Sequence, residues 1–436
     1  MPRRSLSVIV SLAVLLTVAA PAATNVDLDS LRQAGMAQYW QLQLPLAPGQ
    51  QVADVYLVDE HLYACTVDGF VFSLDARTGT VLWLKRVTTG GYRIEAPCHA
   101  GDRVIFVTPA EMRQYDRHYG DAIRSLKFEF PAGSPAVCDG SRYILGGIDQ
   151  RFYAFRVDWN NARDNEFGDF PVWKVATRGQ VVSRPALFGD YVAVASDDGR
   201  IYACRSADKG GMWITGLGTS VTADLAADEK GVYVACRDQS LYMLEVNTGK
   251  QIWRERLGAP LSEPPVLTAD RAYQFSEADG VVSIASTTQF DGDRAQWKLA
   301  QGRTLATVVG DHGLFLARDG GLLDVRLSDG NVRSTIATDL AIAVPVPTQA
   351  WLYLASPDGR IFCARPVGTP TLLATDVRAA QIPNRTEETA AAAATTQPAA
   401  DAATSQPVAT PTAGAAGKTG PTIGGKSKVS REFKGE

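Results

Sequence analysis

Histidine is scarce in this chain. His61, His99, His118 and His312 are the only four in 436 residues, and none stands two or four positions from another. A single strand or helical turn therefore offers no paired imidazoles to a metal. His61 and His99, in or beside predicted strands, read as turn or edge residues rather than ligands. There is no G-x-S-x-G to raise a nucleophile and no phosphate-binding loop. Charge of one sign is lacking too: the net charge of −4 leaves no broad basic surface, so no nucleic-acid partner is expected. The six cysteines, Cys65, Cys98, Cys138, Cys204, Cys236 and Cys363, include no adjacent pair and no C-x-x-C. Most fall within predicted strands and read as buried thiols packed as small apolar groups. Cys98 and Cys138, near equivalent points of neighbouring repeats, are the first pair to test for a disulfide.

What recurs is strand, turn and tryptophan. Residues 67–87, VDGFVFSLDARTGTVLWLKRV, read as a hairpin whose turn, Arg77-Thr78-Gly79, supplies a glycine free to take positive φ. A close relative of this stretch returns at 240–253, SLYMLEVNTGKQIW. Aligned on Trp83, equivalent slots fall at Trp40, Trp83, Arg124, Trp173, Trp213, Trp253, Trp297 and Ser334, spaced 43, 41, 49, 40, 40, 44 and 37 residues apart. The turn keeps Thr-Gly at 78–79 and 248–249, but reads Asp208-Lys209 and Asp329-Gly330 elsewhere. Each unit carries two earlier strands, such as ADVYLVDE and HLYACTVD. Four short antiparallel strands every 40 or so residues describe a propeller blade, which cannot bury both faces unless blades stack.

The fold class predicted is all-β: an eight-bladed β-propeller of four-stranded antiparallel blades, with seven blades as the fallback. Trp40, Trp83, Trp173, Trp213, Trp253 and Trp297 are its structural repeat. The last unit, AIAVPVPTQAWLYLASPDGRIFCARPVG, has three clear strands. Its fourth is assigned to the N-terminal segment around Trp40, which would remove a free edge; TLLATDVR at 371–378 competes for the same place.

The flanks differ from the repeat. Residues 1–23 read as a secretory signal peptide: Arg3 and Arg4, an apolar stretch from Leu6 to Ala20, and the small-x-small site Ala20-Pro21-Ala22. An uncleaved anchor is the alternative. The first cysteine after the apolar run is Cys65, so no lipoprotein acylation site follows it. The domain division is signal peptide 1–23, propeller 24–380, and a disordered Ala/Thr/Pro/Gly-rich tail 381–436. The third unit is about nine residues long relative to its fellows, the excess lying in VDWNNARDNEFGDFPVW. Trp159, Phe167 and Phe170, aromatic on a polar loop, suit a partner contact.

The run DGFVFSLDARTGTVLW resembles the repeat of pyrroloquinoline quinone (PQQ) enzymes, and SPDGRIFCARPVG and SDDGRIYACRS resemble degenerate copies of it. The resemblance covers residues 36 to 370 and implies a quinoprotein-like propeller. Its motif residues are structural, so they specify fold better than function. Two groups share the repeat: secreted quinoprotein dehydrogenases, and cofactor-free propellers of the BamB type, which take part in outer-membrane assembly on the barrel insertase. Dehydrogenases hold PQQ beside adjacent cysteines, which this chain lacks, and bind Ca²⁺ through residues that match no position here. Arg93, Arg178, Arg184 and Arg303 precede or open blades, but read as surface arginines rather than a tricarboxylate cradle. The Asp-Gly pairs at 68–69, 198–199, 279–280 and 358–359 read as turns, not calcium loops.

The resemblance therefore implies an exported, non-catalytic, monomeric scaffold in the periplasm or at the cell surface. It would carry no cofactor and no metal. It would bind envelope proteins, the barrel insertase among them, and touch the membrane only indirectly or through an uncleaved signal. The alternatives are a propeller binding a small molecule or sugar, and a reduced PQQ-dependent oxidoreductase.

Overall fold

A computed structural model describes residues 26–89, 91–157 and 171–381. The segment read as a signal peptide, the stretch holding Trp159, Phe167 and Phe170, and the tail from 382 onward lie outside these residues.

Among the described residues the chain forms eight four-stranded antiparallel sheets. Blades one to seven are consecutive and span 52–86, 98–127, 137–176, 186–216, 226–256, 266–299 and 302–336. Blade eight joins 342–366 to the strand Met36–Gln43, which pairs with Arg360–Pro366 and aligns Trp40 with Cys363. The N-terminal segment thus closes the ring, as its tryptophan pattern predicts. TLLATDVR does not compete: it leads into the short helix Ala374–Ala380, the strand position it would need being already filled.

The registers show why the repeat has its spacing. Every slot residue sits opposite the equivalent residue of its neighbouring third strand: Trp83 faces Ser73, Arg124 Gln114, Trp173 Ala154, Trp213 Ala203, Trp253 Met243, Trp297 Ser283, and Ser334 Asp324. Most of these partners are small, which leaves room for an indole to lie across the blade and reach the next. The Trp83 Nε1–H donates to the Arg117 carbonyl in blade two, 2.8 Å away. Trp40, Trp173, Trp213 and Trp297 make the same bond to Ala76, Ser206, Val246 and Leu327 of the following blade. The turn glycine completes the seat. Gly120 has φ +68°, and a Cβ there would stand 2.6 Å from Cγ of Trp83; Gly79 at φ +72° meets Trp40 in the same way. In blade four Lys209 occupies the corresponding left-handed position at φ +56°, where a side chain costs about 1–2 kcal/mol.

The apolar core is divided accordingly. Eight buried clusters lie between neighbouring blades, including one between blades eight and one built from Trp40, Leu62, Phe72, Tyr353 and Cys363. The second strands run through these layers: His61–Thr66 and Val232–Cys236 are buried at every residue. At the ring's junction Arg365 is 4% exposed, its guanidinium 3.6 Å from the centroid of Trp351 and 2.9 Å from the Tyr353 hydroxyl. Where the slot holds Ser334 rather than tryptophan, the helix Leu28–Gln33 packs against the outer strand Val332–Ile336 and buries Leu31 beside Ile336.

The reading of the cysteines as buried thiols matches their placement in the described residues, five buried and Cys138 half-buried. Cys98 and Cys138 belong to one apolar cluster between blades two and three, yet all six thiols are free. Burial pushes the Cys138 thiol up to about 11 and those of Cys204 and Cys363 up to about 12, which keeps them protonated and unreactive at neutral pH.

Candidate functional site

The blade topology gives the ring two faces. One carries the turns between second and third strands together with the segments that cross from each outer strand to the next blade: Val67 N–H bonds the Gln51 carbonyl, and Val87 N–H the Gly69 carbonyl. The other carries the first-to-second and third-to-fourth connections.

Of the four arginines considered for a cofactor cradle, Arg93 lies on the crossing from blade one to blade two, Arg178 and Arg184 on that from blade three to blade four, and Arg303 in the first strand of blade seven, Gly302–Val309. Arg93 is engaged by Asp54 through paired hydrogen bonds of 3.0 and 2.9 Å, and that carboxylate holds its pKa above the usual arginine value. Arg303 pairs with Glu263 at 2.7 Å and lies 5.0 Å from the Phe275 ring centroid. The backbone N–H groups of Arg178 and Arg184 donate to Tyr202 Oη and Asp224 Oδ1. Two of the four guanidinium groups are thus committed to local carboxylates, and the set is spread around the ring. The same face exposes apolar side chains, Val67 at 59% and Tyr92 at 48%, and stacks Phe130 on Tyr153 with centroids 3.7 Å apart.

The Asp-Gly aspartates serve their own turns. Asp68 accepts from Thr66 Oγ1 at 2.6 Å and from Gln50 Nε2 at 2.9 Å. Asp279 accepts from Gly258 N–H and from Lys298 Nζ. Asp358 is held by Ser356 and Arg360. They lie on different blades, as capping groups for the loops around them.

The histidines depart furthest from the sequence reading. The opposite face, at the seam of blades one and two, gathers three of the four. His61 opens the second strand of blade one and is 2% exposed, not at an edge. Its ring lies 5.4 Å, centroid to centroid, from both His99 and His118, and it stacks on Tyr63 at 5.9 Å. His99 is fully engaged, with Nδ1 2.8 Å from Asp59 and Nε2 2.7 Å from the Tyr63 hydroxyl. Neither ring nitrogen of His61 has a hydrogen-bond partner among the described residues, and burial holds its pKa down to about 4, leaving a neutral imidazole. Arg117 and His118 come from the blade-two turn that also receives the Trp83 indole. His118 is 57 residues from His61, and a search for local ligand spacing misses the pair. The repeat held the signal: the turn of each unit abuts the previous unit, so Trp83 pointed to the neighbourhood of 117–118.

With this architecture in view, the comparisons with known proteins are specific. A family profile described as "Outer membrane protein assembly factor BamB" matches residues 208–346, from the outer turn of blade four into blade eight. The described chain carries a BamB-like, PQQ-type β-propeller domain. The crystal structure of BamB from Moraxella catarrhalis superposes with a TM-score of 0.60 at 16% identity, covering 77% of this chain and 99% of that one. The crystal structure of the computationally designed Ika8 protein gives a TM-score of 0.57 at 12% identity, covering 75% of this chain and 99% of that one. No curated protein sequence matches the chain significantly. At these identities the structural likeness concerns the fold alone. The BamB-like ring accounts for the tryptophan slots and Thr-Gly turns as parts of the blade seams.

Proposed function

We propose that this chain is an exported, non-catalytic scaffold that binds proteins of the cell envelope and takes part in outer-membrane protein assembly. The observation that supports the reading is the BamB profile over residues 208–346, set in a ring that matches a BamB structure along nearly all of that structure's length. The long blade-three loop, with Trp159, Phe167 and Phe170, is the partner contact in this account, because aromatic residues supply a disproportionate share of interface energy.

Deleting residues 160–168 tests this contact. Capture of envelope partners by the full chain should fall at least about tenfold in the deletion, the loss of one hot spot of roughly 1.4 kcal/mol or more, while thermal stability stays unchanged. Equal capture by both proteins would remove the loop from the account.

A further inference from the structure

We infer that Glu60, His61 and His118 form a divalent-metal site, matched to zinc, that joins blade one to blade two. One ligand atom from each of the three lies within 4.8 Å of the others. This site is independent of the proposed partner binding and lies within the described seam.

The second observation is His61 itself. It is 2% exposed, yet both ring nitrogens lack hydrogen-bond partners. A buried polar group left unmatched is costly; a cation on one ring nitrogen satisfies that atom, and the nearest approach to the ring is Glu60 Oε1, 3.4 Å from Nδ1. Its neighbours are different. His99 is tied at both nitrogens to Asp59 and Tyr63, so it walls the site and orients it without serving as a ligand. His312, in blade seven, is spent on the Ala34 carbonyl at 3.1 Å.

Donor chemistry selects the ion. Two imidazoles and one carboxylate are a set that zinc accepts, with a fourth position left to water. Calcium and magnesium call for shells of oxygen. Tetrahedral zinc with bonds of about 2.0–2.2 Å sets its donors about 3.4 Å apart, so the three must draw in from their 4.8 Å spread. The mobile partners are the exposed ones: the side chains of Glu60 and His118 are 50% and 39% accessible, whereas His61 is fixed. Arg117 bridges them, its Nη2 3.3 Å from Glu60 and its Nε 3.2 Å from His118 Nε2. The guanidinium occupies the cation's place, so zinc binding requires it to give up Glu60 and His118 for Asp59, already 3.7 Å from its Nη1.

The test uses the full chain without a polyhistidine tag, stripped with chelator and titrated with zinc. The expected result is one zinc per chain and a melting temperature that rises with zinc, as linkage requires. His118→Ala, on an exposed turn, and Glu60→Gln should each weaken binding at least about tenfold, the lower end of what even outer-shell changes cost, and flatten the thermal response. His61→Gln is the less clean variant because it alters a buried strand. Failure of the wild type to take up stoichiometric zinc would overturn the site, and so would His118→Ala and Glu60→Gln proteins that bind zinc as the wild type does.

Discussion

The blade seam can be tested through a single indole. Trp83 is 6% exposed, lies 5.9 Å from Tyr63 and 6.3 Å from Tyr115, and donates to the Arg117 carbonyl at 2.8 Å. Truncation to alanine should cost about 3–5 kcal/mol for the lost packing and cavity. The sharper perturbation is Trp83→Phe, which keeps an aromatic ring but leaves that carbonyl without its donor, at about 1–2 kcal/mol. Trp253 supplies the control. It occupies the equivalent slot, but its Nε1–H has no partner among the described residues; Arg294 lies 5.2 Å from its ring centroid and donates to the Thr287 carbonyl instead. Trp253→Phe removes no hydrogen bond and should cost under about 1 kcal/mol. Urea midpoints measured at constant m report the difference. Equal costs for the two phenylalanine variants, or a Trp83→Ala cost under about 1 kcal/mol, would refute the idea that the indole bond stitches blade one to blade two.

Other consequences follow from the same contacts. Removing Met36–Gln43 strips blade eight of its fourth strand and bares the edge at Arg360–Pro366, so the truncated chain should elute from size-exclusion chromatography as a larger species than the full chain. The Thr66 hydroxyl holds Asp68 below the usual carboxylate range, and the Ser356 hydroxyl does the same for Asp358. A carboxyl whose folded pKa is depressed contributes stability that is present above its unfolded pKa and lost as pH falls through the folded one. Melting temperature should therefore drop below about pH 4, and Asp68→Asn with Asp358→Asn should flatten that acid limb. A thiol reagent should titrate at most Cys138 rapidly in the native protein, the other five being buried, and all six after denaturation without reductant. Four reactive thiols in the denatured chain would instead indicate one disulfide, with Cys98–Cys138 the first pair to map.

The fold was largely legible because its signal is periodic. Trp83, Trp173, Trp213, Trp253 and Trp297 recur at the period of one blade, and Trp40 carries the same mark to the N-terminal strand that closes the ring. Each indole needs a turn in the next blade to receive it, so the tryptophan and the Thr-Gly turn were conspicuous together. The histidine pocket was not legible by the same route. His61 and His118 belong to different blades, and only the seam brings them together. Local spacing sees neither the stacking of units nor the burial that leaves His61 without partners. The arginines misled less: Arg93 and Arg303 stand next to carboxylates, Asp54 and Glu263, that are about 40 residues away in sequence, one blade apart, which only the completed ring reveals.

The central claim is that the BamB-like ring is a protein-binding scaffold of the envelope, and crosslinked affinity purification from the native envelope tests it most directly. A matched exported propeller serves as the control. The account predicts specific enrichment of the outer-membrane barrel insertase with the full chain. Recovery of the insertase's other subunits together, under the same crosslinking and without this chain among them, would contradict it and leave a shared fold without the shared work.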